Sequence, residues 1–474
     1  MTQPPISASL NSTPDEQPRH SWLERGLGVV TEVRAGEGLT AILLATALFL
    51  LLMAYYIIKP VREALILQHP AGAEYKSWLG AAIAVLLLVV VPAYAALADR
   101  LPRHRLVSVV TLFFGTHLVA FYLASKLGGV RESLSLSLVF FVWVGIFNMM
   151  LVAQLWAFAN DVYDQEQGKR LFVIVGLGAS VGAIAGGGVK ALLSSVFDIF
   201  EMLLVSAAAL VGVALITRAV HRRESERRRK SALALPQKPA AKIMLGPPKG
   251  AFQLVFRQRY LRLIAAFSLV FTFVNTNGEY MLGKLIKAAA TEELEAGRLS
   301  SAGVRDYIDA SYNTFFTWTN AASFALQLLV VSRLVQRAGI ARAFFILPFI
   351  ALLDGIAVAI VPALLVIFWG KIAENSVDYS LNNTLRQMLW LPTSSDMKYK
   401  AKQAIDTFFV RMGDVASGAW VVIGAAALGL GVRGFAITNT VLVVLWLWLA
   451  WEIVKANREV TAQSLSEPEA EVAS

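Results

Sequence analysis

The sequence predicts an all-α membrane protein with twelve transmembrane helices in two six-helix halves. Three observations carry this. Of the 474 residues, 57% are hydrophobic and only 16% charged, with a mean hydropathy of +0.59, whereas a soluble chain holds about a quarter charged residues. The charge is gathered in short stretches, and the apolar blocks between them are long enough to cross the hydrocarbon of a bilayer. The longest polar interval falls mid-chain, leaving six such blocks on either side.

The segments follow in order. Residues 1–37 are polar and hold three prolines before Glu16. They contain no apolar run ending in small residues, so they predict a disordered cytoplasmic lead and not a signal peptide. The first half, 38–217, holds spans at Leu39–Ile58, Trp78–Leu97, Leu106–Leu127, Leu134–Phe158, Leu171–Leu193 and Phe200–Ile216. A basic linker, 218–259, contains the run His221 to Lys230 and the prolines 236, 239, 247 and 248. The second half, 260–456, holds spans at Leu261–Leu282, Tyr312–Val331, Ala343–Val361, Leu364–Leu389, Ile405–Leu430 and Phe435–Val454, and residues 457–474 predict a disordered cytoplasmic tail.

Loop charge sets the orientation. One set of connections carries Arg100, Arg103 and Arg105, then Lys169 and Arg170, then Arg333, Arg337 and Arg342, then Lys398, Lys400 and Lys402. The other set is poorer, with Lys76, then Lys126 and Arg131, then Arg433. The positive-inside rule puts the basic set and both termini in the cytoplasm, as expected for a multi-pass protein of a bacterial inner membrane.

Several function classes drop out. The chain has no cysteine, which removes disulfides, thiolate metal sites and cysteine nucleophiles, and its five histidines are scattered without metal-ligand spacing. The net charge of +10 is concentrated next to an apolar helix, which fits anionic lipid and not nucleic acid. Gly246-Pro247-Pro248-Lys249 lacks the spacing of a phosphate loop, and no ATPase motif occurs, so no cofactor is expected. The partners expected are a small anionic solute and the bilayer, with the chain monomeric. A membrane enzyme or lipid flippase would need a convergent acid–base site, and a scaffold would have no reason to keep charges inside spans.

Charges inside spans each cost a few kcal/mol, so each marks a site with a partner. Lys59, Arg62 and Glu63 are spaced three and four apart and share a helix face at the end of the first span. Pro60 followed by Ala64-Leu65-Ile66-Leu67 predicts a kinked helix that continues, making these residues a cationic wall rather than a snorkelling end. The seventh span holds Asn275 and Glu279 one turn apart, then Lys284; its alternative reading is a structural hydrogen-bond cluster. In the tenth span Asn375, Tyr379, Asn382 and Arg386 fall on one stripe at 100° per residue, beside Glu374, Asp378 and Asn383. The eleventh adds Asp406, Arg411 and Asp414, the last two spaced to pair with each other. The fifth span repeats glycine at 176, 178, 182, 186, 187 and 188, a small-residue face for close helix packing.

Two resemblances follow. The six-plus-six layout and the loop Asp99-Arg100-Leu101-Pro102-Arg103-His104-Arg105 resemble the major facilitator architecture, with Pro102 where its loop motif has glycine. Three segments resemble the nucleotide transporter family, the ATP:ADP antiporters of plastids and obligate intracellular bacteria. They are Leu155-Trp156-Ala157-Phe158-Ala159-Asn160 with Gly168-Lys169-Arg170-Leu171-Phe172, then Leu391-Pro392 through Lys398-Tyr399-Lys400-Ala401-Lys402 to Ile405-Asp406, and Asn275 to Glu279 with the lysine beyond.

The nucleotide-transporter resemblance implies nucleotide exchange across a membrane. It places the family's essential lysine on Arg62 with its basic neighbour on Lys59, its glutamate on Glu279, and its basic residue before Leu-Pro on Arg386. The expected substrate set is therefore Lys59, Arg62, Asn160, Asn275, Glu279, Lys284, Asn382 and Arg386. Glu63, Asp378, Lys402, Asp406 and Arg411 are expected to couple or gate. The family's acid ahead of the first segment is absent, since that stretch reads Trp143-Val144-Gly145. A proton-coupled carrier of another anion, an organic phosphate or carboxylate, working through Glu279 or Asp406, is therefore the alternative.

Overall fold

The computed structural model describes residues 22–28, 31–163, 165–231, 251–390, 392–393, 397 and 401–472, and among these every regular element is helical. Before the mid-chain linker lie α1 (Trp22–Leu27), α2 (Gly38–Leu67), α3 (Gly72–Arg100), α4 (Arg103–Ser125), α5 (Leu134–Val162), α6 (Gln165–Leu193) and α7 (Met202–Ser231). After it lie α8 (Ala251–Arg257), α9 (Arg259–Glu295), α10 (Ser301–Leu326), α11 (Ser332–Ala343), α12 (Ile346–Ile360), α13 (Leu364–Val377), α14 (Asn383–Met388), α15 (Lys402–Ala404), α16 (Val410–Val422) and α17 (Val432–Val472).

Helices stand on all twelve predicted stretches. Among the described residues, however, only eight are by themselves long and apolar enough to cross a bilayer, or nine if Arg333–Ala343 and Ile346–Ile360, bent by 69°, form one span. Part of the shortfall has a physical cause in the second half. π-helical turns at Asp378–Asn382, Ile405–Phe409 and Ile423–Ala427 divide its tenth and eleventh stretches into shorter pieces, and the first two of these turns carry acids. Such turns are favoured where a side chain must be re-aimed at a functional position.

α2 passes through Pro60 and continues to Leu67, as the apolar residues after the proline predict. It packs against α6 through the glycine face: a Cβ at Gly178 or Gly182 would run into the backbone of Ala45 or Phe49. Close approach of this kind gives two helices van der Waals contact that larger residues would forbid.

The segments flanking the spans differ from expectation. Within the predicted lead, the described residues 22–28 and 31–37 make fixed contacts: Glu24 accepts from Gly36 N at 2.5 Å, and Glu37 takes a two-armed contact from Arg170 at 3.1 Å with further bonds from Gln167 and Arg34 N. Burial alone would raise the Glu37 carboxyl, but these donors outweigh it and hold it below the usual carboxylate value. α7 carries the helix into the linker as far as Ser231, and α17 runs to Val472 where a disordered tail is predicted. Helix-favouring Glu, Ala, Gln and Leu after Asn457 account for that extension. The rest of the linker, 232–250, the lead 1–21, Lys398 and Lys400 lie outside the described residues.

Two apolar cores result. One is built chiefly on α2 and α4–α7, the other on α9, α12 and α17. The bundles meet where α2, α3 and α6 face α9, α10 and α16, through links in the parts of the helices remote from the termini. Lys190 of α6 clamps Asp309 of α10 in a buried ion pair, and Asn313 donates to Gly187 O at 3.2 Å. Lys287 donates to the carbonyls of His69 and Pro70, and Lys284 pairs with Glu74.

Candidate functional site

At the bundle seam the charged residues form a chain rather than a scatter. Glu63 on α2, 1% exposed, pairs with its neighbour Arg62 and with Lys76 of α3 at 2.8 Å. Lys76 then crosses to the other bundle, lying 3.5 Å from Glu279 of α9 and donating to Tyr312 OH of α10 at 3.2 Å. Glu279 accepts from Asn375 Nδ2 of α13 at 3.1 Å. Beyond it Lys371, fully buried, donates to Asn275 Oδ1 at 2.9 Å and to Glu374 at 2.7 Å. Desolvating charges is costly unless each finds a partner, and this chain supplies one for nearly every member.

Lys59 is the exception. Among the described residues it makes no ion pair. Its ammonium lies 3.7 Å from the centroid of the Phe316 ring, with Tyr56 and Tyr55 at 5.2 and 5.6 Å. Arg62 rests similarly on Phe141, 4.5 Å from the ring centroid. Aromatic faces attract a cation by the ring quadrupole without supplying a counter-charge, so Lys59 has no bonded counter-ion among the described residues.

The structure sorts the sequence-predicted residues into groups. Lys59, Arg62, Glu63, Asn275 and Glu279 come together at the seam. Lys284 does not: it is 41% exposed and paired with Glu74 at the edge. Arg386, Lys402 and Asp406 form a separate knot nearer the termini, with Asp406 2.5 Å from Lys402 and 3.5 Å from Arg386 beside a small recess floored by Phe267, Ser268 and Trp390. Asn160 is exposed at the end of α5. Asn382 donates to Asp378 at 2.7 Å. Arg411 pairs with Asp414 at 2.9 Å, as their spacing predicts, while Thr276 donates to the same carboxylate and Arg411 also reaches Met149 Sδ.

The tenth-span stripe is broken. The π turn at Asp378–Asn382 changes the angle per residue, so Asn375 and Asn382 are buried while Tyr379 is 44% exposed. The residues that sequence reasoning misses are Lys76, Lys371, Asp354 and the Lys190–Asp309 pair. Lys76 reads as a loop residue, because α3 starts earlier than its apolar run. Lys371 and Glu374, three apart in an apolar stretch, were a legible signal.

The profile of the Major Facilitator Superfamily matches residues 44–388. The chain is 23% identical to "ADP,ATP carrier protein 1" of Chlamydia pneumoniae over 88% of its own length and 90% of that protein. It is 22% identical to the protein of the same name from Chlamydia trachomatis, covering 85% of each, and to "ADP,ATP carrier protein 4" of Rickettsia felis over 65% of each. Among solved structures, a bacterial homologue of the iron transporter ferroportin in an inward-facing state superposes with a TM-score of 0.58 at 14% identity, covering 88% of this chain and 98% of that one. A nucleoside transporter gives 0.55 at 15% identity, covering 89% and 99%. At such identities these structures speak to the fold alone.

Proposed function

This chain belongs to the Major Facilitator Superfamily and is a membrane transporter, and from that premise we propose that it is a secondary carrier exchanging anionic solutes, nucleotides first among them, by alternating access. In this reading twelve spans form halves 38–217 and 260–456, with both termini cytoplasmic in a bacterial inner membrane. The substrate binds at the seam between the halves, where carriers built from repeats hold their cargo.

The observation that carries the proposal is the seam cluster itself. Three cations from one bundle, Lys59, Arg62 and Lys76, stand against two acids, Glu63 and Glu279, leaving one positive charge over. Phosphate oxygens meet such cations through charge-assisted hydrogen bonds. The rings of Tyr55, Tyr56 and Phe316 offer faces on which a base can stack. A polyanion entering the seam takes over the cations, and Glu279 falls back on Asn375 and the nearby Lys371. The relatives bear the name ADP,ATP carrier, which makes those nucleotides the first substrates to test.

Proteoliposomes loaded with ADP and offered labelled ATP measure the exchange. Lys59→Ala and Arg62→Ala, both at the seam, are expected to abolish it while the protein still inserts. Normal exchange by both variants would refute the site assignment. A pH-driven uptake without a counter-substrate supports the alternative, a proton-coupled carrier of an organic phosphate or carboxylate. Glu279 and Asp406 are weak candidates for that proton, since each already faces a lysine, Lys76 and Lys402.

A further inference from the structure

Two buried acids, Asp354 and Glu374, play no part in the exchange cycle above. Asp354 of α12 is 9% exposed and lies within hydrogen-bonding reach of the Glu374 carboxyl on α13. The helices are shaped for this meeting. Gly370 on α13 faces the Asp354 carboxylate, and any Cβ there would collide with it. Gly278 on α9 leaves room for the Lys371 side chain, whose Nζ would be 3.1 Å from a Cβ at that position. A narrow recess lined by Asn275, Glu374, Asp378 and Trp446 reaches Glu374 from the direction of α9.

The charge count decides what this group holds. Two carboxylates face each other, and among the described residues the single cation in contact is Lys371, already bonded to Glu374 and Asn275. The other charged groups nearby do not alter the balance: Glu279 on α9 and Asp378 in the π turn are both acids, and Arg386 lies further along toward Asp406. Two carboxyl oxygens of like charge repel at hydrogen-bonding distance in a low-dielectric interior, and a proton between them turns that contact into a hydrogen bond.

We infer that Asp354 and Glu374 share one bound proton beside the Lys371 ammonium, forming a proton site separate from the seam cations. The step is balanced. A proton from water converts a group of net charge −1 (two carboxylates and one ammonium) into a neutral one, and its release to water restores the charge. Proton uptake also weakens the hold of Glu374 on Lys371. The ammonium then turns toward Glu279, the acid that Lys76 shares, so the protonation state reaches the substrate cluster through one side chain. This holds whichever anion is carried.

Infrared difference spectroscopy of the purified full-length protein tests the site without any substrate. At neutral pH the wild type should show the carbonyl stretch of a protonated, buried carboxylic acid that shifts on deuteration. Asp354→Asn and Glu374→Gln should each lose that same single band, because either change leaves one carboxylate paired with Lys371. A wild-type spectrum lacking the band throughout the folded pH range overturns the inference, even if neither variant folds. So does a variant that folds and keeps the band. In proteoliposomes, ATP entry against internal ADP should respond to an imposed proton gradient in the wild type and lose that response in Asp354→Asn. If no ATP moves at all while the band is present, the nucleotide reading fails and the proton site stands.

Discussion

Removing the Lys190 ammonium should unlock the seam. Lys190 is 2% exposed and Asp309 7% exposed, and they meet across the two bundles at the end remote from the termini. Breaking a buried pair by deleting one partner costs about 3–5 kcal/mol, because the remaining charge is stranded in low dielectric. Arg305, four residues before Asp309 on α10, attracts the same carboxylate, so the lower end applies. About 3 kcal/mol shifts the closed-to-open equilibrium roughly a hundredfold. The chain has no native cysteine, so a single Asn313→Cys, at the Gly187 contact, reports seam opening through its rate of labelling by an impermeant maleimide. Lys190→Met in that background should label about a hundredfold faster, in line with the stranded charge. Lys190→Met with Asp309→Leu should return toward the parent rate, since an apolar pair can replace a buried ion pair at little cost. Equal labelling in the parent and Lys190→Met would show that the clamp does not hold the seam.

Other expectations follow from the same contacts. Gly182→Leu forces a side chain into the Phe49 backbone and should lower stability by about 1–3 kcal/mol or more, read as a drop in melting temperature; an unchanged midpoint would contradict the α2–α6 contact. Glu37→Gln should destabilise by about 1–3 kcal/mol at neutral pH. Because the folded carboxyl sits below its usual value, that stabilisation is present above the unfolded value and fades as the pH falls through the folded one. Melting curves of wild type and variant should therefore converge in acid, and a gap that persists there would be evidence against the Arg170 contact. Glu279→Gln should weaken the Lys76 bridge across the seam and produce efflux of labelled ADP without external nucleotide; tight one-for-one exchange in this variant would argue against a locking role.

Local features of the site were legible in the sequence, whereas depth along a helix was not. The passage of α2 through Pro60, the Arg411–Asp414 pair and the glycine face of α6 all depend on spacing within one helix, which helical periodicity fixes. Placing Lys284 and Arg386 in one cavity with Arg62 required knowing how far along its helix each side chain lies. Periodicity is silent on that, and the two residues belong to other knots. The π turn at Asp378–Asn382 breaks the assumption of 100° per residue, which is why the predicted stripe divides. Lys76 reads as a loop cation in the sequence because four residues of α3 precede it before the apolar run begins. Asp354 stands alone in an apolar stretch and gains meaning only from a partner on a different helix.

In the exchange proposed here, the position of Lys76 would give a physical reason for a bound anion to be required in both directions. Its ammonium is shared between Glu63 of its own bundle and Glu279 and Tyr312 of the other, so the empty site is itself a cross-link between bundles. Rocking the halves apart without substrate would pull Lys76 from Glu279 and leave Glu279 in a low-dielectric seam with Asn375 and the nearby Lys371, itself already held by Glu374 and Asn275, a desolvation cost with little return. A polyphosphate reverses the balance. It supplies several negative charges to Lys76, Arg62 and the unpaired Lys59, so the cations stay satisfied on their own bundle and the bridge to Glu279 is no longer needed. Binding energy is then spent on releasing the lock rather than on holding the substrate more tightly, and the loaded carrier crosses a barrier that the empty one does not.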